Sequence, residues 1–329
     1  MKKKEEVFVY DVYYNDINEL VVISDSKEKE VKIMYEGIEM NSILSEPNED
    51  IFIHKKSAEF KEEIKININE RELLFNPKKY PNLEGRTIVS TLVRNEDPVI
   101  VQWIEFNKLI GVENFIIYDN SNVKRWNENF KAAACEKSNL PELLKEYIKR
   151  GEVILIDWPF PYKKPNHGFV AQKAQQNHSL HAFRKSKYIG FIDVDEYINL
   201  QGKNNLEELF ESQDVNQEIG GFRFKNRSFY NADHQPEDGY EFLKIQHCSG
   251  IQNRFKCKCF VIPKKVEKMA VHIVRKGVKE YLIDDAYFNH YEFLNKKSRG
   301  HKHKKKHGVF LDNSMLVYYE KISQKQQSV

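Results

Sequence analysis

The sequence predicts an α/β protein: a mixed, mostly parallel sheet with helices on both faces, preceded by a small β-sandwich-like unit. Three observations carry this expectation. Short apolar or alternating runs separated by polar breaks fill residues 7–81. From residue 86 the rhythm changes to strand-length runs alternating with helix-length segments. One buried strand then ends in a group of acidic residues at 193–196.

In the first region, runs at 7–14, 20–23, 31–35, 51–54 and 64–68 are rich in Val, Ile and Tyr and bounded by Asn-Asp, Ser-Lys-Glu and Glu-Pro-Asn-Glu breaks. Such spacing suits short antiparallel strands. The stretch 76–82, with Pro77 and Pro81, reads as a linker, so residues 1–81 form the expected first unit. Next, 87–93 reads as a buried strand. Asp97 then offers a helix cap, with Pro98 at the first helical position and Gly111 at the end. Strands at 115–118, 153–156 and 188–192 alternate with helical stretches at 140–148 and 170–185, the pattern of a sheet covered on both faces. Beyond Gly220 the chain is strand-rich again, and 308–329 reads as a tail.

Composition narrows the class. Of 329 residues, 40% are hydrophobic and 12% aromatic, which is enough for a packed core. Lys and Arg total 52 against 49 Asp and Glu, a net charge of +3 that does not point to a nucleic-acid partner. The start of the sequence is charged, and no apolar run of about 18 residues occurs, so neither a signal peptide nor a membrane span is expected. The four cysteines, Cys135, Cys248, Cys257 and Cys259, form no zinc-type pair. They read as reduced, packed thiols, consistent with a cytoplasmic protein.

The chemistry concentrates at Asp193, Val194, Asp195 and Glu196. In an open α/β sheet, ligands bind beyond the carboxyl ends of the strands, where these residues lie. Side chains two apart on an extended backbone point the same way, so Asp193 and Asp195 can converge while Val194 packs inward. Two hard oxygen donors suit Mg²⁺ or Mn²⁺, with phosphate oxygens completing the shell. An Asp-x-Asp pair alone is weak evidence, since phosphatases and nucleases also place carboxylates at strand ends.

The surrounding residues choose between these chemistries. Arg94, Asn95 and Glu96 end the first strand, Trp103, Ile104 and Glu105 lie in the following helix, Gly111 and Val112 turn, and Tyr118, Asp119 and Asn120 end the next strand. Gln172 to Asn177 precede the acidic motif; Pro263, Val266, Met269, Val271 and His272 follow it, and Asn289, His290 and Tyr291 close the series. Over 86–307, in collinear order, this resembles glycosyltransferase family 92 and the related family-2-like enzymes of the GT-A fold. One segment departs: where the family tends to carry an aromatic followed by Gly-Ser-Ser-Gly-His, this chain has Phe229, Tyr230, Asn231, Ala232, Asp233 and His234.

The resemblance implies a metal-dependent, inverting transfer of a sugar from a UDP-sugar to a hydroxyl of a glycan or lipid-linked saccharide, in polysaccharide biosynthesis, with galactose the expected sugar. It implies that Arg94, Asn95, Glu96, Asp119 and Asn120 cradle the nucleotide. Arg94 equally suits an ion pair with Glu96 or Glu105, and Asn120 an Asx turn. Gln172 is the expected donor contact on its helix, ahead of Gln175, Gln176 and Asn177, with a solvated helix face the competing reading for these amides. Asp193 and Asp195 would hold Mn²⁺ or Mg²⁺ and the diphosphate, with His290 as a third ligand and His272 ranked below it; a core role for either histidine is an equal alternative. Inversion needs a carboxylate to take the acceptor's proton. Asp238 is the first candidate, then Asp233, with Glu237 beside them. The basic tract 296–307, with His301, His303 and His307, could close on the diphosphate, meet an anionic acceptor, touch the inner membrane surface, or be a solvated helix face. The competing readings are a metal-dependent phosphoester hydrolase on the same carboxylates, or a nucleic-acid module on the basic tract, although no nucleic-acid partner is expected.

Overall fold

The computed structural model describes residues 7–25, 31–43, 51–94, 96–121, 138–161, 170–215, 217–229, 243–250, 257–291 and 310–327. The N-terminal strands are β1 (Phe8–Tyr14), β2 (Glu19–Asp25), β3 (Ile33–Tyr35), β4 (Ile38–Glu39), β5 (Asn41–Ser42), β6 (Ile51–Ser57), β7 (Ile64–Ile68), β8 (Arg71–Phe75) and β9 (Lys78–Lys79). They form a five-stranded sheet ordered β5-β6-β2-β1-β9 and a four-stranded sheet ordered β4-β3-β7-β8. Val12, Tyr14, Leu20 and Val22 from the first sheet meet Ile33, Tyr35, Ile64 and Ile66 from the second in one core. Stretch 76–82, expected as a linker, carries β9, which pairs parallel to β1, and buries Tyr80.

The remaining elements are β10 (Thr87–Val93), α1 (Asp97–Leu109), β11 (Asn114–Asp119), α2 (Leu140–Leu143), α3 (Lys145–Lys149), β12 (Val153–Asp157), α4 (Val170–Ala182), β13 (Tyr188–Phe191), β14 (Glu196–Asn199), α5 (Leu206–Glu211), β15 (Gly221–Phe229), β16 (His247–Cys248), β17 (Lys258–Val261), β18 (Val266–Met269), β19 (Val274–Gly277), β20 (Glu280–Tyr291), β21 (Phe310–Leu311) and α6 (Leu316–Gln327). Strands β12, β11, β10 and β13 are parallel neighbours, as the alternation predicts. From β13 onward the partners β17, β15, β16 and β21 run antiparallel, and β20 pairs with both β14 and β15. The sheet is therefore mixed in its second half rather than mostly parallel.

Alternation along the strands sends side chains to two cores. Val89, Val93, Phe115 and Ile117 face α1, whose Val99, Ile100, Trp103, Ile104 and Phe106 recur at helical spacing. Ile88, Ile116, Tyr118, Ile189 and Phe191 face α4. Helix α1 begins one residue earlier than a cap at Asp97 would place it: Glu96 is the cap position, and the Asp97 carboxylate instead accepts the Asn139 backbone N–H at 2.6 Å. Gly111 terminates this helix at φ +97°, a conformation that glycine adopts without strain.

Helix α4 lies between two sheets. On its far side sits the outer face of the N-terminal five-stranded sheet, with Tyr13, Val21, Ile23, Ile51 and Ile53 in the same core. Every α4 residue but Lys173 is consequently buried, including its amides and histidines. The stretch expected as a tail also packs: β21 extends the sheet, and Met315 and Ile322 bury against α1's core. Helix α6 carries few apolar residues, which is why its pattern was faint. Among the described residues, no helix is long and apolar enough to cross a membrane.

Candidate active site

Strand β13 delivers Asp193 to Glu196 at the carboxyl end of the parallel half-sheet. Buried Val194 and Ile192 anchor the turn in the α1 core. The Asp193 N–H donates to Glu196 Oε2 at 2.9 Å, and the Glu196 N–H to the Asp193 carbonyl at 3.1 Å, so the turn is closed on itself. The Trp103 indole N–H donates to the Glu196 carbonyl at 3.2 Å. Strand β20 completes the site: Glu196 pairs with His290 across the ladder, and the Tyr291 N–H donates to the Asp195 carbonyl at 2.8 Å.

That register brings His290 Nε2 to 3.3 Å from Asp195 Oδ2. Ligand atoms of Asp195, Glu196 and His290 all lie within 4.8 Å of one another. Two carboxylates and an imidazole are a donor set that could hold Mn²⁺ or Mg²⁺. Asp193 is not in this group. Its Oδ2 is 2.6 Å from Lys258 Nζ, and its Oδ1 accepts from Gln172 Nε2 at 3.3 Å.

Lys258 was not expected at the site. It opens β17, where it lies between the buried Cys257 and Cys259 and points to the opposite side of the strand. Its side chain is 2% exposed, and its Nζ also lies 3.0 Å from Glu196 Oε2. Burial alone would lower the Lys258 pKa, but Asp193 and Glu196 outweigh it and hold the ammonium charged. Burial likewise opposes ionisation of Asp193, yet Lys258 keeps that carboxyl below its usual range. The Asp193 side chain stays 40% exposed, open to solvent on one side of a dense surround. Glu196 has no such opening: burial pushes it up to about 7, with Lys258 opposing and Asp193 adding to the rise. A lysine inside an otherwise apolar strand was the available signal in the sequence.

The other expected residues divide. Gln172 meets Asp193, whereas its helix neighbours hold the fold. Gln175 Nε2 donates to Ser90 Oγ at 2.5 Å, Gln176 Nε2 to the Val271 carbonyl at 3.2 Å, and Asn177 brackets Met269 through both its carbonyl and N–H. Asp119 Oδ1 accepts from the Ser121 N–H at 2.9 Å in an Asx turn, and Asn120 Nδ2 ties the Trp158 and Phe160 carbonyls at 2.7 Å each. Both are buried at the end of β11, and Asn120 Oδ1 is buried with no partner among the described residues. Arg94 and Glu96 are half-buried in the β10–α1 connection. His272 Nδ1 lies 3.1 Å from the Cys257 carbonyl and is not in the group with His290. Asn95, Asp233, Glu237, Asp238 and the tract 296–307 lie outside the described residues.

The curated relatives include a glycosyltransferase family 92 protein of Oryza sativa subsp. japonica, 26% identical over 141 residues, which cover 43% of this chain and 21% of that protein. A second, from Ricinus communis, is 26% identical over 43% of this chain and 22% of its own length. A beta-1,4-galactosyltransferase of Caenorhabditis elegans is 25% identical over 55% of this chain and 40% of its own. The chain thus spans about a fifth of the plant relatives' length and 40% of the nematode protein's. The solved apo structure of the bifunctional glycosyltransferase WbbM covers 49% of this chain and 26% of that one at 14% identity, and its TM-score of 0.28 is too low to carry an argument. The family model of glycosyltransferase family 92 matches residues 135–328, more than half of the sequence and all of the acidic cluster, and the chain belongs to that family.

Proposed function

We propose that the protein is a metal-dependent, inverting glycosyltransferase of GT-A type that moves a sugar, galactose, from a UDP-sugar to a hydroxyl of a glycan or lipid-linked saccharide. The observation that carries this reading is the Asp195, Glu196 and His290 group beside Asp193, at a strand end in a family 92 chain. The similarity to a nematode beta-1,4-galactosyltransferase supports galactose.

Asp195 and His290, with a Glu196 oxygen, would hold Mn²⁺ or Mg²⁺ against the donor diphosphate. A divalent cation there supplies charge stabilisation for the leaving diphosphate. Asp193, exposed on one side and oriented by Gln172 and Lys258, is placed to accept hydrogen bonds from the donor. Strand ends β10 and β11, with the unpartnered Asn120 Oδ1, offer acceptors for the uridine. The acceptor hydroxyl forms its bond to the anomeric carbon as the bond to the diphosphate oxygen breaks. Its proton passes to a loop carboxylate, for which Asp238 and Asp233 remain the candidates.

Isothermal calorimetry with UDP, with and without Mn²⁺, tests the reading. Metal-dependent UDP binding that disappears in Asp195→Asn, with transfer from UDP-galactose lost in the same variant, is expected. Phosphate release from model esters without UDP binding would instead favour a hydrolase. Tight DNA or RNA binding with no response to UDP also sinks the proposal.

A further inference from the structure

Lys258 is a full positive charge placed inside a carboxylate cluster that a divalent cation would also enter. With all three acids ionised, as they would be around a bound cation, three carboxylates and one ammonium total a net charge of minus two. Addition of one divalent cation brings the cluster to neutrality. Without the lysine the loaded cluster would carry a net negative charge, facing a diphosphate that is itself an anion. The ammonium is not shaped for direct ligand contact, because its side chain is 2% exposed and its ion pairs are to Asp193 and Glu196. The backbone does not require a lysine either: the strand neighbours Cys259, Phe260 and Val261 are all buried. Burying an ammonium here costs desolvation that an apolar residue would avoid, which makes a packing role alone a poor account of it.

We infer that Lys258 is a positioning residue that neutralises the metal-loaded carboxylate cluster so that it accepts an anionic nucleoside diphosphate. The inference rests on the function proposed above. It separates two affinities that a structural role would move together. Removal of the charge relieves repulsion of a cation and adds repulsion of an anion. Two acids are also oriented through this residue, since Asp193 and Glu196 both lean on it.

The experiment compares wild type with Lys258→Met and Lys258→Arg. Manganese binding alone is read by electron paramagnetic resonance, and UDP and uridine binding to the Mn²⁺-loaded protein by calorimetry. Lys258→Met is expected to bind Mn²⁺ no more weakly than wild type, to lose at least about tenfold in UDP affinity, and to leave uridine affinity unchanged. Lys258→Arg, which keeps the charge, should stay within about threefold of wild type for UDP. Parallel losses of Mn²⁺ and UDP, or no loss of UDP, overturn the inference. Should Lys258→Met fail to fold, Lys258→Gln gives the same comparison; if both uncharged variants fail while Lys258→Arg folds, the charge is a structural requirement and the inference is wrong. A wild type that binds UDP only with Mn²⁺, alongside a Lys258→Met variant that binds it equally, removes this inference and leaves the function standing. A wild type that never binds UDP removes both.

Discussion

The protein buries polar side chains in two places, and they are built differently. Under α4, Asp11 Oδ2 lies 2.9 Å from His178 Nε2, while His178 Nδ1 lies 2.6 Å from the Tyr118 hydroxyl. That hydroxyl is 2.8 Å from Ser179 Oγ, which is 2.6 Å from Ser90 Oγ, where Gln175 donates. With Nε2–H donating to Asp11 and Nδ1 accepting from Tyr118, each link has a donor and an acceptor. Tyr13, Tyr80, Tyr118 and Trp158 rings surround the buried His178, and only the Asp11 end of the chain of bonds is partly exposed. At the end of β13, by contrast, the Asp193 and Glu196 carboxylates face one ammonium beside Asp195 and His290, and Asp193 stays open to solvent. A satisfied, enclosed network joins two layers of the fold. A cluster of charges with an opening to solvent is the kind of place where ligand sites concentrate.

Substitutions in the two regions should therefore fail in different ways. The largest effect is expected from Asp195→Asn: transfer should drop by about a thousandfold or more while thermal unfolding moves by only a few degrees. A comparable loss of folded protein would place Asp195 with the structural network instead. His178→Ala should show the reverse, with stability falling by roughly 3 kcal/mol in urea unfolding and KM for the donor unchanged. It leaves the Asp11 carboxylate and the Tyr118 hydroxyl facing a cavity.

The helix between the sheets also predicts a pH dependence away from the site. Burial, then the charge of Arg184, pushes His181 down to about 3. The folded state thus holds this ring neutral while the unfolded chain binds a proton below its ordinary value near 6.5. Stability is then full above that pH and should fall by about 1.4 kcal/mol per unit as pH drops towards 3. Denaturant midpoints for wild type and His181→Gln, measured between these limits, should converge as pH falls; parallel curves would remove His181 as the cause. The smallest effect is expected at α5, where Asn205 accepts the Glu208 N–H at 2.8 Å. Asn205→Ala should cost about 1 kcal/mol with no change in metal or donor binding.

Much of the first half-sheet was legible because buried parallel strands and amphipathic helices have strong periods, as in β10, α1 and β11. The acidic motif and its strand-end position were legible for the same reason. The amides of α4 were misleading: a helix with so many polar residues reads as solvated, yet it lies between two sheets and pays its hydrogen bonds to Ser90, Met269 and Val271. Asp11 was invisible as a partner for His178, since the two are 167 residues apart. A β-bulge between Val9 and Asp11 turns that carboxylate towards α4.

The sequence by itself determined the strand and helix rhythm, the placement of Asp193 to Glu196 after a buried strand, and the family. These follow from local periodicity and from residues near one another in the chain. Tertiary structure alone decided which carboxylates work together. The return of β17 antiparallel to β13, with Phe191 opposite Cys259, puts Lys258 beside Asp193. The pairing of Glu196 with His290 across β14 and β20 puts the imidazole beside Asp195. Both placements depend on strand register between distant segments, and register is set by packing of whole faces rather than by any residue's neighbours in sequence.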